Sequence, residues 1–423
     1  MYIAVTGSKN NKDVYIYQSF RKKDGKSSSR IYKKLGKYNT LLEQFDGDNE
    51  KLMAWAKSEA AKETELYNER TGKVTVEFSQ AACILMNEAR SFHAGYLFLQ
   101  QLCTELRLDN ICRVIKGRHK FKYDFHAILT DLVYARVLSP SSKLSSYNFC
   151  KTLLEPPKYE LQDVYRALSV IAEESDFIQS ELYKNSNFIH PRNQKILYYD
   201  CMNYYFEIEE ESGLKHYGKG KENRPNPIVG MGLFMDADGI PLAFDIFPGN
   251  QNEQTTLKPL EKKIIKDFNC SEFIFCSDAG LGSANNRAFL EGNIEEIIKI
   301  NKQRWEIEEN FRIMKTEFEA RPVYVRRDDR IKAHFMTCYI SLLLYRLLEK
   351  KIGNSYTTEQ IIETLRSMKM TLLNTANGYV PSYTRTEITD SLHKTFGFRT
   401  DYEFIKKSTM RSIIKQTKEI NLP

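Results

Sequence analysis

The segment Asn301-Lys-Gln-Arg-Trp-Glu-Ile-Glu-Glu-Asn-Phe-Arg-Ile-Met-Lys315 combines an apolar stripe with a charged edge. At about 100° per residue, four apolar side chains share one face of a helix: Ile307, Phe311, Met314 and Phe318. Four charged side chains share the adjoining face: Arg304, Glu308, Arg312 and Lys315. The segment therefore predicts a helix that packs on one side and holds one carboxylate between cations. A metal site beside a phosphate-binding surface has this pattern, and so has an ordinary surface helix.

The segments before this helix predict a mixed sheet. Lys195-Ile-Leu-Tyr-Tyr-Asp200-Cys-Met-Asn-Tyr-Tyr-Phe206 has the composition of a strand ending in an acid. Residues 228–235 and 241–247 predict two more strands joined by a turn, and residues 254–268 predict a helix. Residues 272–277 predict a fourth strand that places Asp278 at its C-terminal end. Acids at strand ends and one acid on a later helix form a ribonuclease H-like layout.

Three carboxylates, Asp200, Asp278 and Glu308, come from separate elements whose ends can meet at one edge of such a sheet. Phosphodiester chemistry uses two Mg²⁺ ions that clamp the attacking and leaving oxygens, and Mg²⁺ prefers oxygen ligands. Asp and Glu suit this role better than His or Cys. Taken singly, the two aspartates have another interpretation, because Asp also caps strand-to-loop turns.

Five ordered blocks carry a family resemblance: Tyr-Tyr-Asp200, Gly232-Leu-Phe-Met-Asp-Ala-Asp-Gly-Ile-Pro-Leu242, Pro248-Gly-Asn-Gln-Asn-Glu253, Ser277-Asp-Ala-Gly-Leu-Gly-Ser283 and Arg304-x₃-Glu308-x₆-Lys315. In this order they resemble the catalytic blocks of insertion-sequence transposases of the DDE class. Within that class they are similar to the group with a Tyr-x₂-Arg-x₃-Glu-x₆-Lys signature. The resemblance covers at least residues 195–350.

The resemblance implies a function and a set of site residues. Asp200, Asp278 and Glu308 are expected to bind two Mg²⁺ ions, for which Mn²⁺ can substitute. Arg304 and Lys315 are expected to contact DNA phosphates, and Asn301 and Arg312 lie on the same segment as further DNA-binding candidates. The expected activity is cut-and-paste transposition, in which transposon ends are cleaved and then joined to target DNA.

The same resemblance implies the partners and the location of the protein. The partners are double-stranded DNA, as terminal inverted repeats and as target, and a second copy of the chain in a homodimeric synaptic complex. No membrane is expected, and the predicted location is the bacterial cytoplasm, in association with the nucleoid.

Two departures from the family pattern concern the activity. Asn301 stands where the signature has Tyr. Relatives commonly carry a long insertion between the second Asp and the Glu, whereas 308 minus 278 leaves only 30 positions here. Two alternatives therefore stay open: an internally deleted, catalytically impaired transposase that only binds DNA, and a metal-dependent DNA nuclease that cuts without joining.

The composition of the chain is compatible with these expectations. The chain has 423 residues, 42% hydrophobic content and a net charge of +7. It can bury a sizeable core, and its mildly basic balance is compatible with a polyanionic partner. Its eight cysteines contain no Cys-x-x-Cys pair and sit in apolar segments, which predicts reduced core residues of a cytosolic protein. The apolar run 335–348 is too short to span a membrane and carries Arg346, so it predicts a buried helix.

The region before the sheet predicts a β-hairpin and then helices. Residues 1–40 alternate apolar and polar around a turn at Asp24-Gly25, with basic flanks that either follow a phosphate backbone or are simply solvated. Residues 41–66 predict a helix broken at Gly47-Asp48, and residues 73–78 predict a strand. Residues 79–187 have an all-helical pattern.

A basic cluster lies within the helical region, at residues 113–122. Its members predict a nucleic-acid surface: Arg113, Lys116, Arg118 and Lys120, together with Arg136 and Lys143. The alternative is a solvated loop. Near the C-terminus, Thr357-Thr-Glu-Gln360 predicts a capping box that opens a helix, and the tail 394–418 is basic, partly helical, and either touches DNA or is solvated.

These patterns predict four regions. Residues 1–78 form a basic hairpin and helix, and residues 79–190 a helical DNA-binding domain. Residues 191–352 form the ribonuclease H-like α/β core, and residues 353–423 a helical, basic C-terminal region.

Overall fold

The computed structural model describes residues 1–8, 11–21, 26–72, 74–193, 196–207, 209–218, 225–257, 259–260, 266, 274–276, 305–353, 355–374 and 376–419. The chain forms two compact units, Met1–Phe78 and Ser79–Pro423.

The first unit is a small antiparallel sheet followed by two helices. Its elements are β1 (Tyr2–Ser8), β2 (Asn11–Arg21), β3 (Ser27–Lys37), α1 (Tyr38–Gln44) and α2 (Asn49–Thr71), and the sheet order is β1-β2-β3. The predicted helix break is confirmed: Gly47 has a φ of +77°, and the Asp48 carboxylate accepts from the backbone of Glu50 at 2.9 Å. The predicted turn at Asp24-Gly25 lies outside the described residues.

The strand predicted at residues 73–78 is wrong in its described part. Residues 74–78 form no strand, and α2 continues to Thr71. Val74 and Phe78 are exposed. An alternating pattern forms a strand only where a neighbouring strand accepts its hydrogen bonds, and none of the described strands pairs with this segment.

The second unit begins with one short strand and a run of helices. These are β4 (Ser91–His93), α3 (Tyr96–Glu105), α4 (Leu108–Arg118), α5 (Phe125–Leu138), α6 (Lys143–Cys150), α7 (Leu161–Glu173) and α8 (Ser175–Ser186). The helical pattern predicted for residues 79–187 is confirmed from Tyr96 onward. It is wrong before that point, because residues 79–90 form no helix and β4 is a strand. Side-chain caps begin two of the helices, because Asp124 accepts from the Ala127 amide at 3.0 Å and Ser142 from the Ser145 amide at 3.2 Å.

The larger sheet follows these helices. Its strands are β5 (Ile196–Tyr205), β6 (Ile228–Asp236), β7 (Pro241–Pro248) and β8 (Ile274–Cys276), in the order β7-β6-β5-β8. The pairs β7–β6 and β6–β5 are antiparallel, and β5–β8 is parallel. The four predicted strands are therefore present, but Asp200 lies inside β5 instead of at its end. The 3-10 helix Glu253–Thr255 overlaps the start of the predicted helix 254–268. Within the predicted helix, residues 257, 259–260 and 266 are helical, and residues 258, 261–265 and 267–268 lie outside the described residues.

The C-terminal part contains strands as well as helices. Its elements are α9 (Trp305–Thr316), α10 (Asp328–Ile352), α11 (Thr358–Ser367), β9 (Lys369–Leu373), β10 (Gly378–Pro381), α12 (Glu387–Phe396), β11 (Ile405–Lys406) and α13 (Lys407–Gln416). The predicted capping box at Thr357 and Gln360 is confirmed. The C-terminal region that we predicted as helical contains, in its described part, three helices and also strands that the sequence analysis did not predict, because a second sheet has the order β11-β10-β9-β4. Pairing with β4, far earlier in the chain, is not a local property of the sequence.

Helix α10 is the centre of the second unit. Every residue from 333 to 348 is buried, which confirms the predicted buried helix. The Tyr339 hydroxyl donates to the Leu242 carbonyl of β7 at 2.7 Å. One continuous apolar core contains residues from Ala94 to Ile413. It includes residues on both sides of the region boundaries that we predicted at 190 and 352, so these boundaries stay predictions. Among the described helices, none is long and apolar enough to cross a bilayer.

Two cations predicted to lie on a nucleic-acid surface are buried instead, which corrects that prediction. Arg136 is 3% exposed and Lys143 is 5% exposed. Arg136 donates to the carbonyl oxygens of Phe318 at 3.0 Å and Ser141 at 3.1 Å, so it ties α5 to the segment after α9. The cysteine prediction holds for five described thiols but not for Cys83, which is exposed.

Lys143 leads to a prediction about stability and pH. Burial, followed by the charge of Arg136, lowers the pKa of Lys143 to about 7, and its Nζ has no hydrogen-bond partner among the described residues. The unfolded chain then binds a proton that the folded chain does not, from about pH 10 down to pH 7, so this lysine destabilises the fold increasingly as the pH falls.

Lys143→Met is therefore expected to raise the free energy of unfolding. Its advantage over the wild type should grow by up to about 1.4 kcal/mol for each pH unit between pH 10 and pH 7. Urea unfolding at pH 7 and pH 9.5 measures this difference. The exposed Lys151, at the other end of the same helix, provides the control Lys151→Met, which should show no such pH dependence. Equal behaviour of the two variants would contradict the prediction.

Candidate active site

Asp200 lies in the middle of β5, opposite Leu233 of β6. Successive side chains of a strand point to opposite faces of the sheet. Tyr199 and Cys201 share one face, where the Tyr199 hydroxyl is 2.6 Å from Thr256 Oγ1 and 3.2 Å from Cys201 Sγ. Asp200 therefore points to the other face. It is half-buried, and its Oδ1 accepts a hydrogen bond from the backbone amide of Cys201 at 2.7 Å.

Helix α9 covers the face of the sheet to which Asp200 points. The Tyr204 hydroxyl of β5 lies 3.9 Å from Met314 Sδ. Farther back along α9, the Asn310 side-chain amide lies 3.1 Å from Met235 Sδ, and Met235 is the β6 partner of Tyr198. The helix thus extends from the level of Tyr198 to that of Tyr204, and Asp200 lies between these two positions.

Glu308 lies on the exposed side of α9. The buried stripe predicted from the sequence is confirmed on α9 for Ile307, Phe311 and Met314. Phe318 is also buried but follows the end of the helix at Thr316. By helix geometry, Glu308 is about 60° from Phe311 and about 160° from Asn310. Asn310 donates to the Gly239 carbonyl in the β6–β7 turn at 3.0 Å. Glu308 therefore lies on the side of α9 that faces away from this turn, and β8 is the strand at the edge of the sheet opposite β7.

A buried polar network holds α9 in this position. Arg346 of α10 is 3% exposed. It donates through Nε to Asn310 Oδ1 at 2.6 Å and through Nη1 to Glu349 at 2.8 Å, and its Nη2 lies 3.5 Å from the Glu306 carboxylate. Burial raises the pKa of Glu306, while the charges of Arg346 and Lys350 oppose this shift.

The sequence analysis missed the role of Arg346 in this network. A signal was present, because an arginine inside an apolar helix has to find hydrogen-bond acceptors when that helix is buried. The identity of the acceptors could not be read from the sequence.

Asp236 is a second buried acid, and its contacts are structural. It forms an ion pair with Arg192, and both side chains have 0% exposure. Its Oδ1 accepts from the backbone amides of Asp238 and Ile240, each at 3.0 Å. Arg192 also donates to the Ile240 carbonyl at 3.0 Å. These bonds hold the turn between β6 and β7, on which Asn310 of α9 rests.

The predicted DNA-binding residues of α9 differ in their contacts. Arg312 binds Glu309 on the same helix through two hydrogen bonds of 2.7 and 2.6 Å. Lys315 lies in the last turn of α9, two turns after Glu308. Asn301, Arg304 and Asp278 lie outside the described residues. The structure therefore brings together the elements that carry Asp200 and Glu308 and does not test the third carboxylate.

The predicted basic cluster lies on α4 and the segment after it. Arg113 pairs with Asp109 at 3.1 Å, and Arg118 pairs with Glu174 at 2.6 Å and lies 4.0 Å above the Phe177 ring. Lys116 and Lys120 are exposed. A concavity of about 290 Å³ between α4 and α5 has a mixed lining, which includes Asp109, Arg113, Lys116, Lys122, Asp124 and His126.

No group of three or more His, Cys, Asp or Glu side chains within the described ranges forms a metal-binding cluster. Asp278 lies outside these ranges. The carboxylate oxygens of Asp200 and Glu308 are hard donors of the kind that Mg²⁺ and Mn²⁺ prefer. The chemistry of these donors therefore fits the implied ions.

Residues 291–344 match the family model described as the transposase DDE domain. The match supports a transposase of the DDE family. None of the curated proteins compared with the chain matches it. The matched segment contains Glu308, Asn310 and Lys315 and most of α10. A transposase DDE domain implies a ribonuclease H-like α/β core, and the second unit combines helices with a mixed sheet.

Proposed function

We propose that the protein is a DDE transposase that binds transposon ends, cleaves DNA there and joins the ends to target DNA. One observation carries the proposal: α9, which bears Glu308 within the matched segment, covers the face of β5 to which Asp200 points. This packing places the helix that carries Glu308 on the same face of the sheet as Asp200.

The register of β8 supports a place for Asp278 in the same site. Cys276 of β8 pairs with Tyr198 of β5 in parallel. In the sequence, Asp278 follows Cys276 by two positions, as Asp200 follows Tyr198. Parallel strands that continue in register bring such positions side by side. This relation favours a pair of aspartates beside the helix that carries Glu308.

Each residue has a proposed role in the reaction. Asp200, Asp278 and Glu308 would hold Mg²⁺, with Mn²⁺ as a substitute, and the bound ions supply an activated nucleophile and stabilise the charge of the phosphate. Lys315 and Arg304 neutralise phosphates of the bound DNA end. Asn310 and Arg346 position α9 without touching DNA.

The partners and location follow from this function. We propose double-stranded DNA, as terminal inverted repeats and as target, and a homodimer that holds two ends together. The protein would act in the bacterial cytoplasm on nucleoid DNA, and Arg113, Lys116, Arg118, Lys120, Asn301 and Arg312 stay proposed DNA contacts.

The short span between Asp278 and Glu308 favours one second candidate, a transposase that has lost catalysis and only binds DNA. Strand transfer with pre-cut transposon ends and Mg²⁺ separates the possibilities. A transposase is expected to give joined products, which disappear in EDTA. Cleavage without joining would identify a nuclease, and binding without either reaction would identify the impaired form.

A further inference from the structure

Helix α13 carries a row of cations on one face. Within residues 405–418 there are five Lys or Arg residues and no Asp or Glu: Lys406, Lys407, Arg411, Lys415 and Lys418. At 100° per residue, the last four fall within about 80° of each other. The row is roughly 16 Å long, which equals about five base-pair steps of 3.4 Å.

This row forms one wall of a groove. The groove has a volume of about 560 Å³ and four cations in its lining: Lys407, Arg411, Lys415 and Lys418. Four apolar side chains also line the groove: Leu154, Leu372 of β9, and Met410 and Ile414 of α13. Tyr379 of β10 and Glu155 complete the lining. We call this concavity the C-terminal groove.

The charge of the C-terminal groove is poorly compensated by the residues that line it. Among the described residues that line it, Glu155 is the one acid, and it pairs with Lys418 at 2.6 Å. Lys415 reaches Glu419 at 3.5 Å, but its side chain is 79% exposed, so this pair is weak. The concavity at α4 and α5, in contrast, has two aspartates in its lining.

We propose that the C-terminal groove binds the phosphate backbone of duplex DNA outside the catalytic site. Lysines at intervals of about one helical turn suit a linear row of charges, since each acts as a point charge without strict geometry. Apolar side chains beside the cations suit deoxyribose. Contacts to phosphate and sugar position a protein on DNA without reading its sequence. The proposal deepens the proposed transposase function, on which it rests.

The test measures how salt weakens binding of the full chain to a fluorescent 30-base-pair duplex of arbitrary sequence. The groove variant is Lys407→Ala/Arg411→Ala/Lys415→Ala. The matched control removes three exposed lysines elsewhere in the second unit: Lys158→Ala/Lys184→Ala/Lys332→Ala. Thermal unfolding of each variant verifies that the fold is intact, and Arg411→Ala alone is a milder second variant.

We expect the groove variant to bind roughly tenfold or more weakly at low salt. The slope of log K against log salt should fall by about 0.9 for each phosphate that the variant no longer neutralises, hence by about 2 to 3. The control should keep the wild-type slope, and Arg411→Ala should lower it by about 1. Equal slopes in the groove variant and the control would overturn the proposal. So would tighter binding of a poly-glutamate peptide than of DNA, because the groove would then take an acidic protein segment.

The outcome is distinguishable from a failure of the transposase assignment. If pre-cut ends are joined and the groove variant keeps its salt slope, the transposase assignment stands and the groove proposal fails. If no ends are joined but the salt slope of the groove variant falls, the groove binds DNA and the catalytic assignment fails.

Discussion

Asp200→Asn is expected to reduce cleavage of a transposon end by roughly 10³-fold. A carboxylate that holds metal ions stabilises the transition state by several kcal/mol, and each 1.36 kcal/mol is a factor of ten in rate. The amide oxygen of Asn can still accept the Cys201 amide bond that Asp200 accepts at 2.7 Å. The substitution therefore removes charge with little change in shape, and binding of the DNA end should stay within about threefold, since Lys and Arg contacts supply most of that affinity.

The same sheet offers a matched control for this substitution. Asp245 of β7 accepts from the next backbone amide, that of Ile246, at 2.8 Å. Ala243 and Phe247, two positions before and after Asp245, share its face of the strand. Both belong to the cluster that also contains Tyr199, so Asp245 points away from α9. Asp245→Asn should leave cleavage unchanged. Comparable losses in both variants, or loss of DNA binding by Asp200→Asn, would show that the effect at Asp200 is structural.

Glu308→Gln is the corresponding test on α9. Because Glu308 is exposed, the variant should fold as stably as the wild type and lose cleavage to a similar extent. Full activity of Glu308→Gln would show that Glu308 does not take part in catalysis. Cleavage is measured with a labelled end in Mg²⁺, and binding is measured in parallel without the metal.

Arg346→Ala is expected to lower the free energy of unfolding by about 3–5 kcal/mol, because it leaves buried charges without their partner. The affected groups are Glu306, Glu349 and the Asn310 side chain, all of which Arg346 contacts. Urea unfolding measures the loss. Adding Glu306→Gln to the variant should recover part of the stability, since it removes one of the unpaired charges.

An exposed arginine at the start of the same helix provides the comparison. Arg327 pairs with Asp329 at 2.8 Å, and its side chain is 65% exposed. Arg327→Ala should cost no more than about 1 kcal/mol, because water screens an exposed ion pair. If the two alanine variants were equally destabilised, the buried network would not be what holds α9 against α10.

Local patterns predicted the elements of the site well. The apolar positions Ile307, Phe311 and Met314 of α9, and Phe318 just after the helix, are buried as their spacing predicted. The strand that bears Asp200 and the short strand before Asp278 are also present. Each of these results depends on residues within one or two turns or on simple alternation, which neighbouring side chains are sufficient to produce.

The sequence analysis failed mainly in predicting which charged side chains are buried. Arg136 and Lys143 were predicted on a surface and lie in the core, and the contacts of Arg346 were not foreseen. The C-terminal groove was not predicted either. Its wall is a basic helix, but its lining includes residues near 154 and 372, which are distant in sequence. A charged residue has the same local sequence pattern whether its distant neighbours cover it or leave it in water.

The sequence by itself determined the strands of the larger sheet and which side of α9 is apolar, because periodicity is a property of adjacent residues. Only the tertiary structure decided that α9 lies over Asp200, that Arg346 holds it there, and that β4 joins the C-terminal sheet. Those outcomes depend on contacts between residues tens to hundreds of positions apart, and the free energy of such contacts exists only once the chain has brought them together.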